Sequence, residues 1–305
     1  MHIFVTGASG WIASAVVPEL LDAGHTVAGL ARSDASAAIV EKLGADVVRG
    51  SLTDAATLRG AAEQADGVIH LAFPHENMND LAAAARTERA GVAAIVEALT
   101  GTGKPLVAAS GTPVVAGRPS TEDDRLAGEL ATPRAGNEQV LLLSAEHGVR
   151  PSAVRLPRSV HGPGDAHGFV AQLARMFRAA GAAQYVGDGT NRWPAVHVTD
   201  AARLFRIALE RADAGTVLHA VGDEGIPVRT LAEALGERLG LPTESVGPER
   251  LGFFGMMQTL DHATTAERTR ARFGWAPTHP GLLDDIAAGH YDPAPSSAPA
   301  APPTS

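Results

Sequence analysis

Cysteine is absent from this 305-residue chain. That excludes disulfides, thiolate nucleophiles and cysteine-ligated zinc. It also fits a reducing compartment, so a cytoplasmic location is expected. Positive charge is in short supply. Twenty-five Lys and Arg stand against 34 Asp and Glu, for a formal net charge of −9, and no basic stripe forms. Nucleic acid is therefore not an expected partner, and the modest acidic excess reads as a solubility feature. No apolar run is long enough to span a bilayer, so no membrane partner is expected. Ile3 to Val5 reads as part of the fold rather than as the end of a signal peptide. Several catalytic signatures are missing too. There is no His-Glu-x-x-His and no tight carboxylate–histidine cluster, so no metal site is expected. The run Gly7-Ala8-Ser9-Gly10-Trp11 fails as a nucleophile elbow at its last position. A Walker pattern is absent, and Glu122-Asp123-Asp124 reads as a solvated loop or helix start.

What is present begins at the first residues. His2 to Thr6 is a short apolar run, Gly7-Ala8-Ser9-Gly10 a tight turn, and Ala15 to Ala23 an amphipathic segment. This is strand, turn and helix, the context in which a glycine-rich turn binds a dinucleotide. Gly7 and Gly10 allow the backbone to approach a pyrophosphate, and the amides of the new helix face it. Ala13, at the third glycine position, is small enough for close helix–strand packing. Strands are then expected at 26–31, 46–48, 67–72, 106–109 and 153–156, with helices between them at 35–43, 55–65, 81–99 and 137–146. Apolar strands alternating with helices predict an α/β fold with a Rossmann-type doubly wound parallel sheet.

After Pro157 the texture changes to more loops and fewer sheet strands. Helices are expected at 169–180, 199–210 and 228–239, with a strand at 216–221. The expected organisation is a dinucleotide-binding domain over 1–156, with segments near 195–222 returning to it. A smaller C-terminal substrate lobe over 157–291 and a Pro/Ala/Ser-rich disordered tail over 292–305 complete it.

In its motifs the chain resembles the extended short-chain dehydrogenase/reductases, the NAD(P)-dependent epimerases, dehydratases and reductases. Thr6-Gly7-Ala8-Ser9-Gly10-Trp11-Ile12 is similar to that family's cofactor turn, and His70-Leu71-Ala72 to its motif ending the fourth strand. Val154-Arg155-Leu156-Pro157 through Gly164, Gly187-Asp188-Gly189 with His197 to Asp200, and Gly274-Trp275-Ala276-Pro277 follow in the family's order. The resemblance implies cofactor contacts from Thr6, Gly7, Ser9, Gly10, Trp11, Ile12, Leu71, Ala72 and Pro157. Members of the family often pair through surface helices, which leaves a homodimer open.

The end of the second strand separates NAD from NADP. A carboxylate there holds the ribose 2′-hydroxyl, whereas an arginine accommodates a 2′-phosphate. The chain has Ala31-Arg32-Ser33, with no carboxylate before Asp34, so NADP(H) is expected, held by Arg32 and Ser33. Ser51 stands where the family often has an adenine-binding Asp, so backbone groups at Leu52 are the expected substitute.

The family's chemistry uses a Tyr and a Lys four residues later, on one helix face, where the ammonium lowers the phenol's pKa. Here the only tyrosines, Tyr185 and Tyr291, are followed at that spacing by Gly189 and Pro295, and the only lysines are Lys42 and Lys104. The resemblance places Leu130 and Arg134 at the pair's positions. Arg134 is expected to anchor ribose but is a poor proton donor. Glu88 replaces the usual relay Asn. Ser110 or Thr112 is expected to hold the substrate oxygen. His161, His75 with Glu76, or water is left to supply a proton, and Asn191, Arg192 and Trp193 to line or pack the lobe. The expected function is NADP(H)-dependent reduction of a carbonyl or related C=X group of a small organic substrate. An NADP-dependent epimerase or dehydratase, and a non-catalytic NADP(H)-binding sensor, are the alternatives.

Overall fold

A strand whose two faces are both apolar must be covered on both faces, and the first half of the chain meets that demand by alternation. The computed structural model describes residues 1–74, 80–126 and 135–292. In chain order the first elements are β1 (His2–Thr6), α1 (Ala13–Asp22), β2 (Thr26–Ala31), α2 (Asp34–Lys42), β3 (Asp46–Arg49) and α3 (Ala55–Gln64). Then come β4 (Gly67–His70), α4 (Leu81–Leu99), β5 (Pro105–Gly111), α5 (Ala135–Leu143) and β6 (Arg150–Leu156). Side-chain caps start several of these helices. Ser33, Asp54 and Asp80 each accept a backbone N–H from the first turn of α2, α3 and α4, satisfying one of the amides a helix start leaves open.

The second half contributes β7 (Ser159–His161), α6 (Phe169–Ala180), β8 (Ala183–Val186), β9 (Arg192–His197), α7 (Val198–Arg211), β10 (Thr216–His219), β11 (Asp223–Pro227), α8 (Val228–Leu239) and β12 (Thr243–Val246). Three short helices end it: α9 (Phe253–Gln258), α10 (Glu267–Phe273) and α11 (Leu282–Ala287).

The main sheet has seven parallel strands in the order β10-β6-β5-β4-β1-β2-β3. The order reverses between β1 and β4, which opens a crevice at their carboxyl ends where ligands of such sheets bind. One face of the sheet packs against α1, α2 and α7 through Val16, Val17, Leu20, Leu204 and Phe205. The other packs against α3, α4 and α5 through Leu58, Val92, Ile95 and Leu141. A third core, around Phe177, Trp193, Leu231 and Leu235, belongs to the smaller lobe.

This is the Rossmann-type sheet expected from the alternation. The lobe is richer in strands than its texture suggests. β7, β9 and β11 form one small sheet and β8 and β12 another, and none was expected from the sequence. They are three to six residues long and are specified by tertiary pairing rather than by periodicity. The expected helix at 137–146 is shorter: α5 ends at Leu143, and Ser144–His147 is a 3₁₀ turn. His75, Glu76, Leu130, Arg134 and the expected tail from 293 onward lie outside the described residues.

Candidate functional site

The turn after β1 is built from backbone constraint. Gly7 has φ +69°, and a Cβ there would lie 2.7 Å from the backbone nitrogen of Ala72. Only glycine lets the turn pack against the end of β4 this closely. The Gly10 N–H donates to the Gly7 carbonyl at 2.9 Å, closing the turn with Gly10 exposed and Ser9 half-buried. No side chain caps the start of α1; the Ser14 and Ala15 amides bond back to the Gly10 and Ile12 carbonyls, and the helix start lies at the crevice as anion-binding helix N-termini do. A glycine-rich turn running into a helix start in this way is the arrangement that takes a dinucleotide pyrophosphate.

Two of the expected cofactor contacts are engaged otherwise. The Thr6 hydroxyl is fully buried, 2.8 Å from His70 Nδ1, and ties β1 to β4. Trp11 reaches away from the turn, and its Nε1–H donates to the Val160 carbonyl at 2.8 Å. This bond joins the cofactor turn to the lobe. Ile12 packs on the core beneath α1. Leu71 and Ala72 run along the floor of the turn, with the Leu71 N–H donating to the Thr6 carbonyl. Pro157 is buried and Leu52 half-buried.

At the end of β2, Arg32 is exposed. Ser33 is less available than its chemistry suggests, because its hydroxyl and its N–H are both bonded to Ser36 in the capping box of α2. Asp34, the first carboxylate after β2, accepts from Arg49 Nη2 at 2.7 Å. Arg49, at the end of the neighbouring strand β3, is a contributor that sequence reasoning missed. Register alone pairs it with Ala31, one residue from Arg32.

The strand ends across the crevice carry the polar side chains. Ser110 lines a cavity of about 10 Å³ together with His70, Glu88, Asn137 and Glu138, room for about one water. Behind it Asn137 Nδ2 donates to Glu88 Oε2 at 2.6 Å, and Arg89 Nε donates to Asn137 Oδ1 at 2.9 Å. Glu138 holds the guanidinium of Arg155 through three contacts, at 2.6, 3.0 and 3.2 Å, with both residues buried.

Thr112 is 8% exposed, and its Oγ1 lies 2.9 Å from His262 Nε2. Burial, together with the neighbouring Arg158 cation, holds the His262 pKa down to about 3, so the ring is neutral at neutral pH. Its Nδ1 is buried without a hydrogen-bond partner. The neutral ring and the Thr112 hydroxyl share one hydrogen bond, which fixes the Thr112 side chain at the end of β5.

His161 corrects the expectation made for it as a proton donor. The ring is 0% exposed, and its Nδ1 sits 2.6 Å from the buried Asp285 Oδ2. Asp223 Oδ2 lies 3.9 Å from its Nε2, and an edge contact with His197 at 5.5 Å packs beside it. It has no surface through which to reach a substrate, and it joins β7 to α11. Trp193 is likewise 0% exposed, with its Nε1–H donating to Ser159 Oγ. It packs the lobe, while Arg192 is bound through Nε and Nη2 to Asp261.

The family model described as NAD dependent epimerase/dehydratase family matches residues 3–221. The chain belongs to this family. Among relatives of this epimerase/dehydratase member, an uncharacterized protein of Schizosaccharomyces pombe is 42% identical over 95% of this chain and 100% of its own length. A 3-diazoavenalumate denitrifying reductase of Streptomyces is 28% identical, covering 94% of this chain and 99% of the relative. The structure of a dTDP-glucose 4,6-dehydratase from Streptomyces venezuelae with NAD bound superposes with a TM-score of 0.76. It shares 21% identity and covers 95% of this chain and 96% of that one, a likeness of fold. This member is therefore an epimerase- or oxidoreductase-type enzyme on a dinucleotide-binding fold. No described helix is long and apolar enough to cross a membrane.

Proposed function

We propose that the protein is an NADP(H)-dependent reductase acting on a carbonyl or related C=X group of a small organic molecule. The observation that carries the cofactor choice is the charge at the end of β2. Arg32 stands there with Arg49 on the adjacent strand, and Asp34, the first carboxylate after β2, is engaged by Arg49. A 2′-phosphate gains charge-assisted hydrogen bonds from such a pair of arginines.

When bound, the nicotinamide supplies a hydride. The backbone of Gly7 to Ile12 holds the pyrophosphate. Thr112 holds the substrate oxygen through a hydrogen bond from its hydroxyl, and Ser110 lines the same edge. Reduction also consumes a proton. With no Tyr-x-x-x-Lys pair in the sequence and His161 enclosed in the lobe, water in the crevice is the source this reading assigns.

The test mixes the protein with NADPH or NADH and a panel of ketones, aldehydes and imines, and follows the nicotinamide absorbance. Net oxidation of NADPH in preference to NADH is expected. Turnover of a nucleotide sugar without net oxidation would replace this reading with an epimerase or dehydratase. Tight NADPH binding with no turnover of any compound would replace it with a sensor.

A further inference from the structure

Arg158 follows Pro157 at the carboxyl end of β6, and Thr112 is bonded to the same strand end through its N–H and the Leu156 carbonyl at 3.0 Å. The guanidinium is half-buried. It lies over the Trp193 ring, 5.1 Å from the centroid. Among the described residues its one hydrogen bond runs from Nη1 to the Leu260 carbonyl and is 3.5 Å long. A guanidinium has five N–H donors, so most of its capacity is unspent.

The nearest carboxylate does not meet that capacity. Asp261 accepts from the Arg192 backbone N–H, Nε and Nη2, which occupies both of its oxygens. The adjacent His262 is neutral, as argued above. The group of Arg158, Arg192 and Asp261 therefore carries one uncompensated positive charge, close enough to His262 to act on its ring, and that ring touches the hydroxyl of Thr112. Burial pulls the Arg158 pKa down to about 10, with Asp261 opposing only in part. That is the mark of a desolvated cation without a full partner, and the side chain remains charged at neutral pH.

We infer that Arg158 is a substrate-anchoring residue whose free fork takes a carboxylate, so that the substrates of this enzyme are small oxo acids. The carbonyl sits at Thr112 and the acid group at Arg158. The Trp193 ring backs the guanidinium from one side, and the planar fork suits bidentate recognition of a planar anion. This inference rests on the reductase reading and sharpens it.

The experiment titrates the NADP⁺-loaded protein calorimetrically with 2-oxobutanoate, 4-oxopentanoate, their methyl esters and UDP-glucose. At least one acid is expected to bind about 10- to 100-fold more tightly than its ester, the range of one charge-assisted hydrogen-bonded contact. Arg158→Gln is expected to erase the preference by weakening the acid and sparing the ester. Arg158→Lys is expected to restore it in part, because the charge returns without the fork. NADP⁺ affinity, which Arg158 does not touch, checks that the variants are folded. Equal binding of acid and ester overturns the inference, as does failure of every acid to bind a protein that takes NADP⁺. Tighter binding of UDP-glucose than of any acid also overturns it, since the cleft then holds a diphosphate. Absence of any heat with NADP⁺ itself removes the cofactor reading, and the anchoring role with it.

Discussion

Arg32, Thr112 and Glu138 show three ways a single side chain is held at the crevice. Arg32 is exposed at a strand end, and its value to a bound phosphate comes from charge and fork geometry. Arg32→Asp is expected to weaken NADPH binding by about 10- to 100-fold while leaving or improving NADH binding, read by nucleotide fluorescence titration. Thr112 is fixed through a neutral imidazole, and Thr112→Val removes the hydroxyl that meets the developing charge. It is expected to lower kcat/KM by about 100-fold, with NADPH affinity unchanged. Glu138 neutralises Arg155 in the interior. Glu138→Gln strands a buried guanidinium and is expected to cost about 3–5 kcal/mol in urea unfolding.

Local sequence carries Arg32 and Thr112, because each directly follows an apolar strand in a parallel sheet, whose carboxyl edge is where ligands bind. It does not carry their partners. His262 lies 150 residues from Thr112, and Leu260, which touches Arg158, lies 102 residues from it. Only the folded lobe brings these groups to the sheet edge.

At the level of elements, the opening β1–turn–α1 unit depends on one backbone conformation. Gly7→Ala must hold φ near +69° and push a methyl toward the backbone of Ala72. It is expected to destabilise the protein by about 1–3 kcal/mol in thermal unfolding and to abolish dinucleotide binding. The same unit was the most legible part of the chain, since strand, small residues and helix follow one another without interruption. α6 was equally legible, and its apolar positions at helical spacing gave the observed limits Phe169–Ala180. β7, β8, β9, β11 and β12 were not. Each is short, and the Asp223–Pro227 strand carries a register shift between Asp223 and Ile226, so neither alternation nor run length marks it.

Across the whole molecule, buried imidazoles set the response to acid. Burial holds the pKa values of His262, His219 and His197 below 6.5, that of His262 at about 3. The unfolded chain then binds more protons than the folded one below pH 6.5, so stability falls as pH falls. His262 alone is expected to remove about 2 kcal/mol between pH 7 and pH 5. Urea midpoints measured across that range in the wild type and in His262→Gln should show the slope shrink in the variant. Asp261 and Asp200, whose pKa values are lowered by hydrogen bonds to the Arg192 side chain and to the His279 and Thr278 amides, lose their contribution only at still lower pH. Their loss comes as pH falls through the carboxylate range.

The outermost strand of the seven, β10, enters the sheet only after β7, α6, β8 and β9 of the lobe, and the rest of the lobe follows it. α7, which covers the face beneath it, arrives just before. Recombination with a relative at a single crossover near Pro157 would thus exchange a wall of the nucleotide-binding half along with the specificity region. A chimera that transplants substrate preference needs three junctions, one before β7, one ahead of α7 and one after β10, because β11 and β12 pair with β9 and β8.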